Sequence, residues 1–207
     1  MPELPEHSPT LGLVLAGGQS RRMGRDKSSL HWGGQALWRK QAELLRFVGL
    51  EVAVSIRPNQ VLTEENGISV KHIEDCFADA GPLSGWLSAW RQYPDHALLV
   101  VACDLPLLDS GTLLELIAQR AAGHLATAYR SASDGLPEPM CALYEPAAKP
   151  VFEAALAADR RCPRKLLIEG QGRVKLLDLA NRLALENANT PEEFARLEKL
   201  AGTEALQ

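Results

Sequence analysis

The chain has 207 residues, 46% of them hydrophobic, and a formal net charge of −4. That length suits one domain with an ordinary core, and the acidic balance excludes general nucleic-acid binding, which needs a broad basic face. No apolar run approaches the roughly 20 residues that cross a bilayer. Residues 1–9 hold two glutamates and three prolines and no apolar segment, which reads as a disordered tail in a cytoplasmic protein, not a signal peptide. The expected organisation is a tail over 1–10, one domain over 11–200 and a second short tail over 201–207.

Taken in order, residues 11–16 read as a buried strand. Residues 35–48 have helical spacing, with Leu37, Gln41, Leu44, Leu45 and Val48 on one side. A strand over 52–56 ends near Pro58, and 68–73 alternates weakly as a short strand. Residues 83–90 read as a helix in which Trp86 and Trp90 stand one turn apart, as core in preference to a base-stacking platform. The fully apolar run 97–102 is a strand, and Asp109 or Ser110 caps a helix to about 122. Strands are expected over 125–129 and 140–144, a helix over 147–158 and a last strand over 174–178. Thr190-Pro191-Glu192-Glu193 opens the final helix with a capping box and proline at its first position. Such strand–helix alternation implies a mostly parallel sheet covered by helices on both faces, with ligands at the carboxyl ends of the strands.

Cys76, Cys103, Cys141 and Cys162 are 27, 38 and 21 residues apart. None of these spacings is that of a zinc site, so the four read as reduced thiols in a core. The five histidines are scattered, without a metal pattern or a nucleophile-elbow serine beside them.

The first strand runs directly into Leu15-Ala16-Gly17-Gly18, then Arg21, Arg22, Arg25, Asp26 and Lys27. Four positive side chains against one negative give this stretch a local charge of +3 in an acidic chain. It is neither a Walker A loop nor a Rossmann fingerprint, because the glycine and lysine spacings differ. Adjacent glycines let backbone N–H groups approach a phosphate, and the arginines offer forked contacts to its oxygens. A triphosphate ligand explains the concentration better than a purely structural turn. Asp104 closes the apolar strand 97–102; it is a turn or capping residue or, beside a phosphate loop, the favoured Mg²⁺ ligand. Asp75 ends the strand before it and can accept from a base or ribose, assist the metal, or be a solvated loop acid. Gly81 and Gly85 either admit a base or pack. The basic cluster Arg160, Arg161, Arg164 and Lys165 is a solvated helix end or a second anion site.

The motifs LAGGQSRRMGRDK, IEDCFADAGPLSG, CDLPLL, EPMCALY and ENANTPEEF resemble the molybdenum cofactor guanylyltransferase (MobA) family over about residues 11–200. The Leu-Ala-Gly-Gly form distinguishes this branch from cytidylyltransferases, which typically read Leu-Ala-Ala-Gly. The resemblance implies a three-layer, Rossmann-like α/β nucleotidyltransferase fold of the glycosyltransferase-A-like type. It implies transfer of GMP from GTP to molybdopterin phosphate with release of pyrophosphate, and Mg²⁺ as cofactor. By the family pattern Leu15, Ala16, Gly17, Gly18 and Lys27 contact GTP, Arg22 assists at the phosphates, Asp75 meets the nucleoside, and Asp104 holds Mg²⁺ and GTP. Asn187 and Asn189 match the Asn-x-Asn near the pterin substrate. A cofactor-delivery protein or molybdoenzyme is a further partner the family suggests; nucleic acid and membrane are not. The alternatives are cytidylyl or other nucleotidyl transfer to a phosphorylated acceptor, and a non-catalytic nucleotide-binding carrier. Departures occur in Val54-Ser55-Ile56-Arg57-Pro58-Asn59, where Ser55 or Arg57 replaces a base-touching asparagine, and at Glu138, which stands where others have histidine.

Overall fold

The run 97–102, Ala-Leu-Leu-Val-Val-Ala, carries no polar side chain, and all six residues are buried. A strand of that kind needs cover on both faces, which sets the architecture of the rest. A computed structural model describes residues 8–17, 19–20, 25–26, 30–62, 70–170 and 172–204. In chain order its strands and helices are β1 (Thr10–Leu15), β2 (Gln19–Ser20), β3 (Arg25–Asp26), β4 (His31–Trp32), β5 (Gln35–Ala36), α1 (Leu37–Phe47), β6 (Glu51–Ile56), β7 (Lys71–Glu74), α2 (Leu83–Gln92), β8 (Ala97–Ala102), α3 (Ser110–Ala118), β9 (Ala126–Arg130), β10 (Pro137–Tyr144), α4 (Lys149–Ala157), α5 (Pro163–Glu169), β11 (Val174–Leu177) and α6 (Pro191–Glu204).

Among the described residues, seven strands form one sheet in the order β11-β9-β10-β8-β1-β6-β7. Only β10 runs against its neighbours, so the sheet is mostly parallel. Period-two alternation then sorts side chains to the two faces. Val14, Val54, Leu99 and Val101 pack under Trp38, Ala42 and Leu45 of α1 and Leu113 and Leu116 of α3. Leu11, Leu13, Leu98 and Val100 pack against Trp86 and Trp90 of α2, Phe152 of α4 and Leu166 and Leu167 of α5. The result is the three-layer α/β fold implied above. Trp86 and Trp90 are core residues as expected, in edge-to-face contact with Tyr144 and Phe152.

Several boundaries differ from expectation, each for a local reason. Residues 8–10, expected to belong to the tail, are tied into the fold: the Pro9 carbonyl accepts from Ala97 N and that of Ser8 from Arg120. The α1 helix starts at Leu37, because Gly33 and Gly34, at φ +58° and +82°, turn β4 back into β5. The α3 helix stops at Ala118, as Arg120 is drawn to Glu145 and Ala121 N to Thr127 Oγ1. The β10 strand begins three residues early and crosses an irregularity between Pro137 and Ala142. The α5 helix, opened by Pro163 at its first position, was not expected. At the C-terminus α6 continues to Glu204, past the expected end at 200. Its capping box forms as expected, with Thr190 Oγ1 accepting from Glu193 N and Glu193 Oε2 accepting from Thr190 N.

Arg120 and Glu145 form a two-pronged pair, 2.7 Å at each contact, with side chains only 9% and 4% exposed. Arg120 also donates to the Ser8 carbonyl and to Thr10 Oγ1, tying β1 to the chain after α3. Replacing Arg120 with alanine leaves a buried carboxylate without its partner and is expected to cost about 3–5 kcal/mol in urea unfolding. The double replacement Arg120→Met, Glu145→Leu is expected to recover most of that loss.

Candidate active site

After β1, the chain builds outward through β6 and β7, then returns to place β8 on the other side of β1. The order therefore reverses between β1 and β8, and a crevice opens at their carboxyl ends. The register aligns these ends: Leu15 pairs with Ser55 on one side and with Ala102 on the other. A cavity of about 900 Å³ opens there, lined by Leu15, Gly17, Ser55, Arg57, Asp75 and Asp104 among others.

The floor is held by backbone bonds. Ala16 N donates to the Ser55 carbonyl at 3.0 Å and Cys103 N to the Leu15 carbonyl at 3.3 Å, while the Gln60 amide donates to the Ala16 carbonyl at 3.1 Å. Gly17 is tightly enclosed: a Cβ there would lie 2.9 Å from Asp75 Oδ2 and 3.3 Å from Arg57 N. Beyond it, β2 and β3 pair antiparallel, so the glycine–arginine segment doubles back on itself. Gly18, Arg22 and Lys27 lie outside the described residues.

Asp104 follows β8 in a turn and is 5% exposed. The helix cap next to it is taken by Asp109, whose Oδ1 accepts from Thr112 N at 2.7 Å. Asp104 is thus not the cap of α3. Its loop is tethered from two directions. Gln41 Nε2 donates to the Leu105 carbonyl at 2.7 Å, and Lys40 Nζ to those of Pro106 and Leu108 at 2.7 and 3.2 Å. Burial lowers the Lys40 pKa, partly opposed by the Asp109 charge. From the other side, Ala188 N donates to the Asp104 carbonyl at 3.0 Å.

Asp75 stands at the far end of the cavity, after β7. Its backbone N donates to the Ile56 carbonyl at 2.8 Å, and its Oδ1 accepts from Ser55 Oγ at 2.6 Å. Burial raises its pKa to about 6, against the opposing pull of the Ser55 hydrogen bond and the Arg57 charge. The following residues lie along α2, with Ser88 Oγ accepting from Cys76 N and Ser84 Oγ from Phe77 N. Gly85 is a packing glycine, since a Cβ there would fall 2.6 Å from Leu15 Cδ2 and 2.8 Å from Ser55 Oγ. Gly81, at φ +58° with open space around it, serves the turn.

Because β10 is reversed, its first residues reach this same edge, and Met140 lines the large cavity. A smaller cavity of about 140 Å³ is lined by Ser131, Ser133, Glu138, Arg182 and Asn187. Of the Asn-x-Asn pair, Asn187 thus faces a cavity, while Asn189 N joins the α6 cap by donating to Glu193 Oε2. The basic cluster is largely neutralised: Arg160 pairs with Glu169, Arg161 with Asp159, and Arg164 with Asp134 and Glu138. That is the solvated helix end, not an anion site.

Leu15, Gly17, Asp75 and Asp104, singled out from the sequence, share one cavity, with Ala16 buried at its floor. The hold of Ser55 on Asp75 and the tethers from Lys40 and Gln41 carried no sequence signal. Among the described residues, no three His, Cys, Asp or Glu side chains form a metal cage. A magnesium ion at Asp104 would draw its other ligands from substrate phosphates and water, which is the usual mode for that ion. No disulfide joins the cysteines; Cys103 and Cys141 are core residues as expected, but Cys76 and Cys162 are exposed. Burial pushes the Cys141 thiol up to about 12, so it is inert.

Residues 12–174 match the model of the MobA-like NTP transferase domain. The chain belongs to that family. It is 34% identical over 193 residues to the molybdenum cofactor biosynthesis bifunctional protein of Synechocystis sp., covering 92% of this chain and 54% of that longer protein. It is 32% identical over 192 residues to the molybdenum cofactor guanylyltransferase of Xanthomonas euvesicatoria, covering 91% and 94% of the two chains. The crystal structure of molybdopterin-guanine dinucleotide biosynthesis protein A from Archaeoglobus fulgidus superposes with a TM-score of 0.74 at 22% identity, covering 93% and 99%. The matched span of this MobA-like nucleotidyltransferase takes in Gly17, Asp75 and Asp104 and ends before Asn187. Among the described residues, no helix is long and apolar enough to cross a membrane.

The raised Asp75 pKa has a measurable sign. An unfolded aspartate ionises near 3.8, whereas the folded one holds its proton until about 6. The folded state binds more protons across that window, so this group makes stability fall as pH rises from about 4 to about 6. Asp75→Asn is expected to flatten that part of the stability–pH curve in denaturant titrations, leaving the slope at lower pH in place.

Proposed function

We propose that this chain transfers GMP from GTP to the terminal phosphate of molybdopterin, forming the guanine dinucleotide cofactor and releasing pyrophosphate. The observation that carries the reading is the single cavity uniting Gly17, Asp75 and Asp104 at the point where the strand order reverses. The names of relatives matched over most of their length, molybdenum cofactor guanylyltransferases, support a guanylyl transfer to that cofactor.

In this reading an oxygen of the acceptor phosphate attacks the α-phosphorus of GTP. The new P–O bond forms as the bond to the β-phosphate oxygen breaks, and pyrophosphate carries away the electron pair. A phosphate monoester is already ionised near neutral pH, its second pKa being about 6, so no serine or histidine is needed to activate it. The obstacle is repulsion between two anions. Positioning and charge neutralisation meet it, with Gly17 and Gly18 giving backbone access and Arg22 and Lys27 donating to the phosphates. Asp104 would hold Mg²⁺ together with substrate oxygens, and that ion would offset triphosphate charge. Asp75 accepts from the nucleoside. Asn187, lining the neighbouring cavity beside the Asp104 tether, serves the pterin side with Asn189.

The deciding measurement is pyrophosphate release with molybdenum-loaded molybdopterin and Mg²⁺, comparing GTP, CTP and ATP. Release with GTP alone is expected. Release with CTP would move the chain to the cytidylyl reaction, and tight GTP binding without release would mark a carrier. Asp104→Asn is expected to lower turnover about a hundred- to a thousandfold, and near-normal Mg²⁺-dependent turnover would overturn its role. Lys27→Ala is expected to weaken GTP binding by about 1.5–3 kcal/mol, as read by calorimetric titration.

A further inference from the structure

The large cavity has two distinct ends. Asp104 stands past β8 and Asp75 past β7, three inter-strand steps apart in the sheet, or roughly 14 Å at about 4.8 Å per step. With the phosphates at the Asp104 end, a nucleoside lying across the strand ends brings its base to the Asp75 end. This placement rests on the function proposed above.

The lining at the base end includes Ser55, Arg57 and Asp75, which close over Gly17. Ser55 is 2% exposed and gives its hydroxyl to Asp75, so it has no donor to offer a ligand. Arg57 is half-buried and lines the cavity. Its backbone N–H is fixed by Gln60 Oε1 at 2.9 Å, and the same glutamine holds the Ala16 carbonyl. The Arg57 backbone is therefore anchored, through Gln60, to the residue before Gly17. A Cβ on Gly17 would meet Asp75 Oδ2 at 2.9 Å and Arg57 Cγ at 3.4 Å, so acid and guanidinium stem flank one glycine. The positive charge of Arg57 is close enough to oppose the upward shift of the Asp75 pKa.

A carboxylate only accepts hydrogen bonds and a guanidinium only donates them. Together they match a ring whose N–H donors adjoin its acceptors. Guanine has that pattern, with N1–H and the 2-amino group beside O6 and N7. Adenine and cytosine put an amino donor where guanine has O6, so each would set a donor against the arginine. We infer that Arg57 is the base-selecting residue of this chain, donating to the O6/N7 edge of guanine while Asp75 accepts from N1–H and the 2-amino group. Ser55 acts through Asp75 as a positioning residue.

The test is calorimetric titration of the full chain and of Arg57→Ala with GTP, ITP, 7-deaza-GTP, CTP and ATP, each with Mg²⁺ and without acceptor. Arg57→Ala is expected to weaken GTP binding about ten- to a hundredfold and to leave CTP and ATP within about twofold. The 7-deaza analogue lacks N7, so it should bind the parent chain more weakly than GTP and the variant no more weakly than GTP. A residue that merely supports the fold would not produce that coupling. ITP lacks the amino group assigned to Asp75, so its penalty relative to GTP should be the same in both proteins. Equal weakening of every nucleotide, or GTP selectivity retained in the variant, overturns the inference alone. Failure of the parent chain to prefer GTP overturns the guanylyl reading and this inference with it. Arg57→Lys, which keeps the charge but loses the forked donor, separates misfolding from lost recognition: it should melt like the parent and still lose GTP preference.

Discussion

The structure depends on the in-register parallel pairing of β1 with β6 on one side and β8 on the other. Leu15 faces Ser55 and Ala102 across those ladders, so three strands stop at one level. Most of the cavity lining singled out above follows from that level: the glycine turn after β1, Ser55 and Arg57 at the end of β6 and Asp104 after β8, with Asp75 added from β7 beside β6. A one-residue slip in either ladder would reverse the faces of a strand that is apolar on both sides. The hydrophobic layers above and below would tolerate such a slip poorly, because each face is matched to its own helices.

Rigidity is distributed unevenly around this edge. The turn carrying Asp104 is fastened by side chains of α1 and by the segment before α6, elements far from it in sequence. The segment carrying Asp75 is fastened locally, by its own strand neighbour and by serines of the helix that follows. The turn of Asp104 is thus held by elements distant in sequence, whereas Asp75 belongs to a single sheet–helix unit. Under the proposed function, catalysis by positioning would draw on the first kind of support.

Much of this was legible in the sequence because burial leaves little choice. Runs such as 97–102 are strands under almost any reading, whereas a carboxylate at such a strand's end reads equally well as a turn residue until the glycine–arginine segment is set beside it. Residues 163–169 were not legible as a helix, because Arg164, Lys165 and Glu169 surround the leucines it buries. The residues 137–139, Pro-Glu-Pro, argue against a strand, yet β10 accommodates them at the irregular end of its ladder with β9. The Ser55–Asp75 bond spans 20 residues and the Gln41–Leu105 bond spans 64, and no local pattern announces a contact at that separation. Asn187 and Asn189 were visible only through family resemblance; their link to Asp104 runs through the alanine between them.

That link has a consequence for how the protein is made. The amide of Ala188 reaches the carbonyl of Asp104 from a point late in the chain. A nascent polypeptide can lay down β1, β6, β7 and β8 while most of its C-terminal third is still inside the ribosome. Its apolar layers can close only in part at that stage, because Phe152, Leu166 and Leu167 are still to come, and the turn beneath the acidic side chain also lacks one of its restraints. That turn is therefore completed late, once the segment before the last helix has emerged.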